Sequence, residues 1–442
     1  MDTAFRLATA RSALRGVRPY EVAGRVSAIT GLALDLEGVD GHLSVGDRVW
    51  ITPRTGRAVQ AEAVGFQNGL TRAMTFGILD GIGPGAKVVI DGPARLAVSD
   101  HWLGRVLDPL GQPLDRKGPM LAGERSTPVR CAPPGAAVRA RLGPRIDLGV
   151  KALNAFVTCR QGQRLGLFAG SGVGKSTLLS MLARFTACDV AVIALVGERG
   201  RELREFIEDD LGPEGLARSV LVVATSDQPP MMRRECAYAA ACVAEHFRDQ
   251  GKSVLLMMDS VTRFCLALRE IGLSAGEPPT TRGYPPSVFA ELPQLLERAG
   301  PGLPGGGMIT GLFTVLVEGD DQNEPIADAV RGILDGHVVL DRRIGESGRY
   351  PAIDVLRSLS RTVPGVNSAK ENALASKARA VLATWQDMQD LVRLGAYKSG
   401  SDLAVDEAVR LTPKIEAFMS QPKGEASQVA QGFADLAAAL EG

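Results

Sequence analysis

The run Ala169-Gly170-Ser171-Gly172-Val173-Gly174-Lys175-Ser176-Thr177 puts three glycines, an ammonium and three hydroxyls within nine residues. Glycines let successive backbone N–H groups converge on a phosphate chain, Lys175 adds a point charge, and Ser176 offers a hydroxyl to Mg²⁺. The usual pattern, G-x-x-x-x-G-K-[ST], has glycine where this chain has Ala169. A methyl group is a small intrusion there, and the phosphate-facing positions are unchanged. Small residues can also serve only to turn a chain tightly from strand to helix. What favours nucleotide binding is the setting, with the apolar run QRLGLF before the loop and an amphipathic helix starting near Lys175. The positive end of that helix faces the phosphates.

Phosphoryl transfer is catalysed mainly by positioning and charge, so a metal ligand, a group to orient water and further cations are expected nearby. Two apolar runs end in carboxylates. SVLLMMD closes on Asp259, which at the C-terminal edge of a sheet can hold Mg²⁺ through water; the alternative is a strand-ending Asp that caps the next helix. AVIALVGE delivers Glu198 to the same edge, where it can polarise an attacking water. Acidic residues also complement a helix N-terminus, which explains the nearby Glu202 better than Glu198.

These residues need a scaffold that collects strand ends along one edge. After residue 145 apolar strands and helices alternate, which predicts a parallel sheet covered on both faces. Residues 20 to 91 contain short runs (EVAGRVSAI, DRVWI, AVQAEAVGF, AKVVI) separated by turn residues, predicting a small closed β-barrel. GRVLDPLGQPLD and the Pro-rich stretch after it read as a linker. Beyond Val366 the text turns helical and alanine-rich. The expected class is thus α/β, a P-loop core preceded by a barrel and followed by a small all-helical domain. The expected divisions are 1–18, a docking segment; 19–95, the barrel; 96–365, the nucleotide-binding core; and 366–442, the helical end. The long loops around residues 277–307 flank a helix and exceed what a connector needs.

At 442 residues the chain has room for two to four domains. Its 50 Lys and Arg balance 50 Asp and Glu, so no bulk field recruits nucleic acid or a membrane surface. The barrel lacks the interleaved aromatic and basic residues of a nucleic-acid-binding barrel. The six cysteines form no C-x-x-C pair and sit mostly in apolar text, as thiols do in a reducing cytosol. No run approaches the ~18 apolar residues of a membrane span.

FAGSGVGKSTLL, VGERGRE, LLMMDSVTRF, EGDDQNEPIAD, DGHVVLDR and YPAIDVLRSLSR, in this order, resemble the catalytic subunits of rotary ATPases and, more closely, the type III secretion ATPases. The wording QNEPIADAVRGILDGHVVL is most similar to the flagellar export branch, while DVLRSLSR is shared in style with the virulence branch. The resemblance implies a RecA-like core that binds ATP and Mg²⁺, with Lys175, Ser176 and Asp259 as phosphate and metal residues and Glu198 as general base. It implies that Tyr350 stacks on adenine, where the alternative is a tyrosine packed beside Pro351. It also implies that Arg361 is an arginine finger for a neighbouring subunit; the alternative is one surface arginine among several.

A homohexamer coupling ATP hydrolysis to flagellar protein export follows from that resemblance. So do a peripheral-stalk-like regulator at residues 1–18, a central-stalk-like coiled coil, export chaperones with their substrates, and a peripheral cytoplasmic position at an inner-membrane export gate. The competing readings are a virulence secretion ATPase, a rotary ATPase subunit, a nucleotide-binding scaffold with little turnover, and an RNA translocase. Neutral charge argues against the last.

Overall fold

The computed structural model describes residues 21–170, 172–317 and 324–441; the expected docking segment, 1–18, and Ser171 lie outside them. The chain forms two compact units, one holding the described residues up to 94 with 229–231 and 270–277, the other holding the rest.

In the first unit, β1 (Ala23–Thr30), β2 (Ala33–Glu37), β3 (Asp47–Thr52), β4 (Val59–Gln67), β5 (Leu70–Thr75) and β6 (Lys87–Pro93) close into a barrel in the order β1-β2-β5-β4-β3-β6. Alternation decides which side chains point inward: Val49 and Ile51 are fully buried and Trp50 between them is exposed. Asn68 and Gly69, both at positive φ, make the two-residue turn that joins β4 to β5. Leu34, Leu36, Val49, Ile51 and Val88 fill the interior.

The second unit is built on a nine-stranded sheet. Its main strands are β7 (Arg105–Leu107), β8 (Arg164–Ala169), β9 (Val190–Glu198), β10 (Ser219–Thr225), β11 (Ser253–Asp259), β12 (Met308–Leu316), β13 (Gly336–Leu340) and β14 (Ile353–Ser360). Their order is β14-β13-β8-β12-β11-β9-β10-β7, and Gly300–Pro301 pairs on β12 as the ninth. The strands expected to alternate with helices after residue 145 are present and run parallel. Three more in this sheet were not foreseen, the short Gly300–Pro301 strand among them. β7 lies inside the supposed linker, and β14 is an antiparallel edge beside β13. All nine residues of β9 are buried, as a strand covered on both faces requires.

Helices α1 (Lys151–Phe156), α2 (Lys175–Phe185), α3 (Gly200–Glu205), α4 (Pro230–Asp249) and α5 (Val261–Ala275) belong to this layer structure, and α6 (Ala369–Arg393), α7 (Leu403–Met419) and α8 (Val429–Glu441) end the chain. The last three share one apolar core with the sheet: Ala378, Leu411, Ile415 and Leu436 pack in the same cluster as Leu148, Phe156 and Ile353. Arg379 of α6 reinforces this, donating to the carbonyls of Val355, Phe156 (3.0 Å) and Ser358 (3.1 Å). Four of the six cysteines are buried, Cys188 is half-buried and Cys131 is exposed. Among the described residues no helix is long and apolar enough to cross a membrane.

Candidate functional site at the phosphate loop

β8 and α2 bracket the glycine loop as a strand-turn-helix. Gly172 and Gly174 have φ of +76° and +85°, a region that disfavours side chains. At Gly174 space is short as well, since an added Cβ would stand 3.2 Å from the Tyr350 ring. Val173 turns its side chain into the core, so only its backbone can face a ligand. Ser176 is exposed at the start of α2, Thr177 is half-buried behind it, and Ala169 and Gly170 are buried where the strand ends.

The parallel register puts both carboxylates opposite this loop. Asp259 is the last residue of β11 and Glu198 the last of β9. A bulge between Val196 and Glu198, with Gly197 at φ +68°, re-aims the end of β9. The Lys175 ammonium contacts Asp259 Oδ1 and lies 3.5 Å from Glu198 Oε1. Asp259 is 5% and Glu198 9% exposed. Burial, and then the neighbouring Asp259 charge, push the Glu198 carboxyl above its ordinary value, against the pull of Lys175 and Arg263. A phosphate chain lying on the loop would compete for Lys175 and leave Glu198 a more avid proton acceptor.

Two participants escaped the sequence reading. Arg263 on α5 places Nη2 3.6 Å from Glu198 Oε2. Thr314, fully buried on β12, donates its hydroxyl to Asp259 Oδ1 at 2.7 Å, with Met258 O at 3.1 Å. Arg263 stands in the quoted LLMMDSVTRF, but it meets Glu198 only because α5 starts two residues after β11 ends, a placement that the parallel sheet sets. Nothing local marks Thr314.

Tyr350 is brought to the loop. Its ring, 45% exposed, covers Gly174, and its carbonyl accepts from Gln421 N at 2.8 Å, tying it to the chain beyond α7. Arg361 is not brought there. It follows β14, donates its backbone N–H to Asp335 O at 2.9 Å, and is level with Arg164 at the start of β8. The loop begins at the other end of that strand, about 17 Å away at ~3.3 Å per residue. The exposed guanidinium makes a 3.3 Å hydrogen bond to Arg331 O.

The oxygen donors of Asp259 and Ser176 suit a hard divalent cation. Among the described residues no three His, Cys, Asp or Glu side chains cluster to hold a metal alone. Such an ion would complete its shell with phosphate oxygens and water.

Comparison with known proteins agrees with this architecture. Residues 149–360 match the ATP synthase alpha/beta family, nucleotide-binding domain, and 367–438 the T3SS EscN ATPase C-terminal domain. The flagellum-specific ATP synthase of Caulobacter vibrioides is 51% identical, with 97% of this chain and 98% of that protein covered. The type 3 secretion system ATPase of Xanthomonas euvesicatoria is 47% identical, with 91% of each covered. The structure of the assembled ATPase EscN from enteropathogenic E. coli superposes with a TM-score of 0.87 at 37% identity, over 94% of this chain and 100% of that one. EscN in complex with its central stalk EscO gives 0.85 at the same identity and the same coverage. The chain belongs to the ATP synthase alpha/beta family and, within it, to the flagellum-specific and type 3 secretion ATPases.

Proposed function

We propose that this chain hydrolyses ATP in a ring of identical subunits and that turnover energises export of flagellar proteins through a type III secretion apparatus. The observation that carries the reading is the meeting of Lys175, Glu198 and Asp259 at the mouth of the glycine loop. The Tyr350 ring lies beside that loop, and Arg361 stands at the far end of the strand.

In this reading the backbone from Ala169 to Thr177 cradles the phosphates and Lys175 neutralises them. Ser176 and Asp259 would hold Mg²⁺, which when bound would add positive charge beside the phosphates. Glu198 orients a water and accepts its proton, for which burial suits it. Tyr350 stacks on the adenine. Arg361, which its own loop lies too far away to use, enters the site of a neighbouring copy and adds positive charge where the phosphates separate.

The functional division is 19–95, 96–365 and 366–442, and the family matches at 149–360 and 367–438 support its second boundary. The ring works in the cytoplasm against the inner-membrane export gate. A central-stalk-like coiled coil enters it, as EscO does in EscN, and a peripheral-stalk-like regulator binds residues 1–18. Chaperones present the substrates.

Hydrolysis assays on Glu198→Gln and Arg361→Ala proteins test the assignment. Both should lose at least a hundredfold in turnover while still binding nucleotide. Near wild-type turnover in both would sink it, and tight binding without turnover in the unaltered protein would favour a nucleotide-binding scaffold.

A further inference from the structure

Gln163 precedes β8 and is fully buried, yet every hydrogen-bonding position of its side-chain amide is used. Oε1 accepts from Arg160 N at 2.9 Å and from Thr362 Oγ1 at 3.1 Å. Nε2 donates to Asp335 O at 3.0 Å and to Ser360 Oγ at 2.9 Å. Because Arg160 offers a backbone donor and Asp335 a backbone acceptor, the amide fits in one orientation only.

These partners converge on one residue. Ser360 and Thr362 flank Arg361, and Asp335 O is the same acceptor that receives the Arg361 N–H at 2.9 Å. Ser360 Oγ also donates to Thr158 O at 2.9 Å. The backbone under Arg361 is therefore bolted to the start of β8, while the guanidinium stands exposed with one long bond to Arg331 O. A buried amide is costly unless each of its groups is paired, and here three of the four pairings serve the base of an outward-pointing arginine. A fixed root with a free tip is the arrangement expected of a side chain that must meet something beyond its own chain in a set position.

We propose that Gln163 is a positioning residue for Arg361, holding its backbone so that the guanidinium reaches the phosphates of a neighbouring copy. This rests on the reading that Arg361 acts between subunits. A displacement of about 1 Å can reduce rate ~100-fold. Gln163→Met should therefore lower kcat of the assembled protein by about 10- to 100-fold, leave the Kd for a fluorescent ATP analogue within about twofold, and add nothing to the defect of Arg361→Ala.

The discriminating experiment mixes chains. Glu198→Gln chains have an intact Arg361 but a disabled site, so co-assembly with Arg361→Ala chains should restore turnover. Gln163→Met chains should be restored by the same partner to a similar level. If the Arg361→Ala mixture recovers and the Gln163→Met mixture does not, Gln163 serves its own site through β8 and the proposal fails alone. If neither mixture recovers although the chains co-assemble, the reading of Arg361 falls and the proposal with it. Ser360→Ala, which keeps the amide and removes one of its partners, guards against misfolding of Gln163→Met. It should show the same pattern at smaller amplitude, and an unchanged kcat would overturn the proposal.

Discussion

Glu198 shares Lys175 with Asp259, and in the proposed reading it is the base whose protonation sets the rate. A general base works only when ionised. Since burial and then the Asp259 charge raise its pKa, its ionised fraction falls away at a higher pH than that of an ordinary glutamate. kcat/KM should thus decline on acidification through a limb lying above the usual carboxylate range. Glu198→Asp should keep a limb at reduced rate, and Glu198→Gln should abolish it. A wild-type limb within the ordinary carboxylate range would remove burial as the tuning force. At this scale the glycine loop was legible because its chemistry is contiguous in sequence. Asp259 and Glu198 were legible as candidates because each ends a long apolar run. Thr314 was not, since only the lateral pairing of β12 with β11 sets that hydroxyl against Asp259, 55 residues away. Gln163 escaped for the same reason, its partners lying up to 199 residues further along the chain.

Elements were read well where one periodicity ran long enough to be unmistakable, and poorly where pairing was remote. β7 is three residues in Gly- and Pro-rich text, and its existence depends on Val220, Leu221 and Val222 supplying hydrogen bonds. The start of α6 shows the opposite case, a local signal with a local outcome. Ser368 accepts from Glu371 N at 3.3 Å and Glu371 Oε2 accepts from Ser368 N at 2.7 Å, a reciprocal cap. Burial opposes ionisation of Glu371, but the Ser368 N–H and then Arg145 hold its carboxyl below the ordinary value. The cap's ionic part is therefore present at neutral pH and lost as pH falls through that lowered pKa. Ser368→Ala should cost about 1 kcal/mol locally, seen as roughly fivefold faster amide exchange in the first turn of α6. Unchanged exchange there would mean that the shared core alone holds the end of the helix.

At the scale of the whole molecule, about 17 Å separate Arg361 from its own loop, and the proposed reading therefore places activity in the assembly. In the proposed reading one chain has the loop, the metal ligand and the base, and lacks the last positive charge. On that reading assembly would supply it, and such an arginine contributes roughly 10³ to 10⁵ in rate. The resemblance to ring ATPases pointed to this, but no composition or spacing could show that β14 ends away from the loop, because the direction of an edge strand depends on pairing with β13. Turnover per chain should consequently track the assembled fraction. When the protein is diluted and assembly followed by light scattering, hydrolysis per chain should fall with the population of rings toward the level of Arg361→Ala protein. The Arg361→Ala rate per chain should itself not vary with dilution. A rate per chain that stays constant while the rings come apart would place the missing charge inside a single subunit, and some other cation, Arg263 first, would have to supply it.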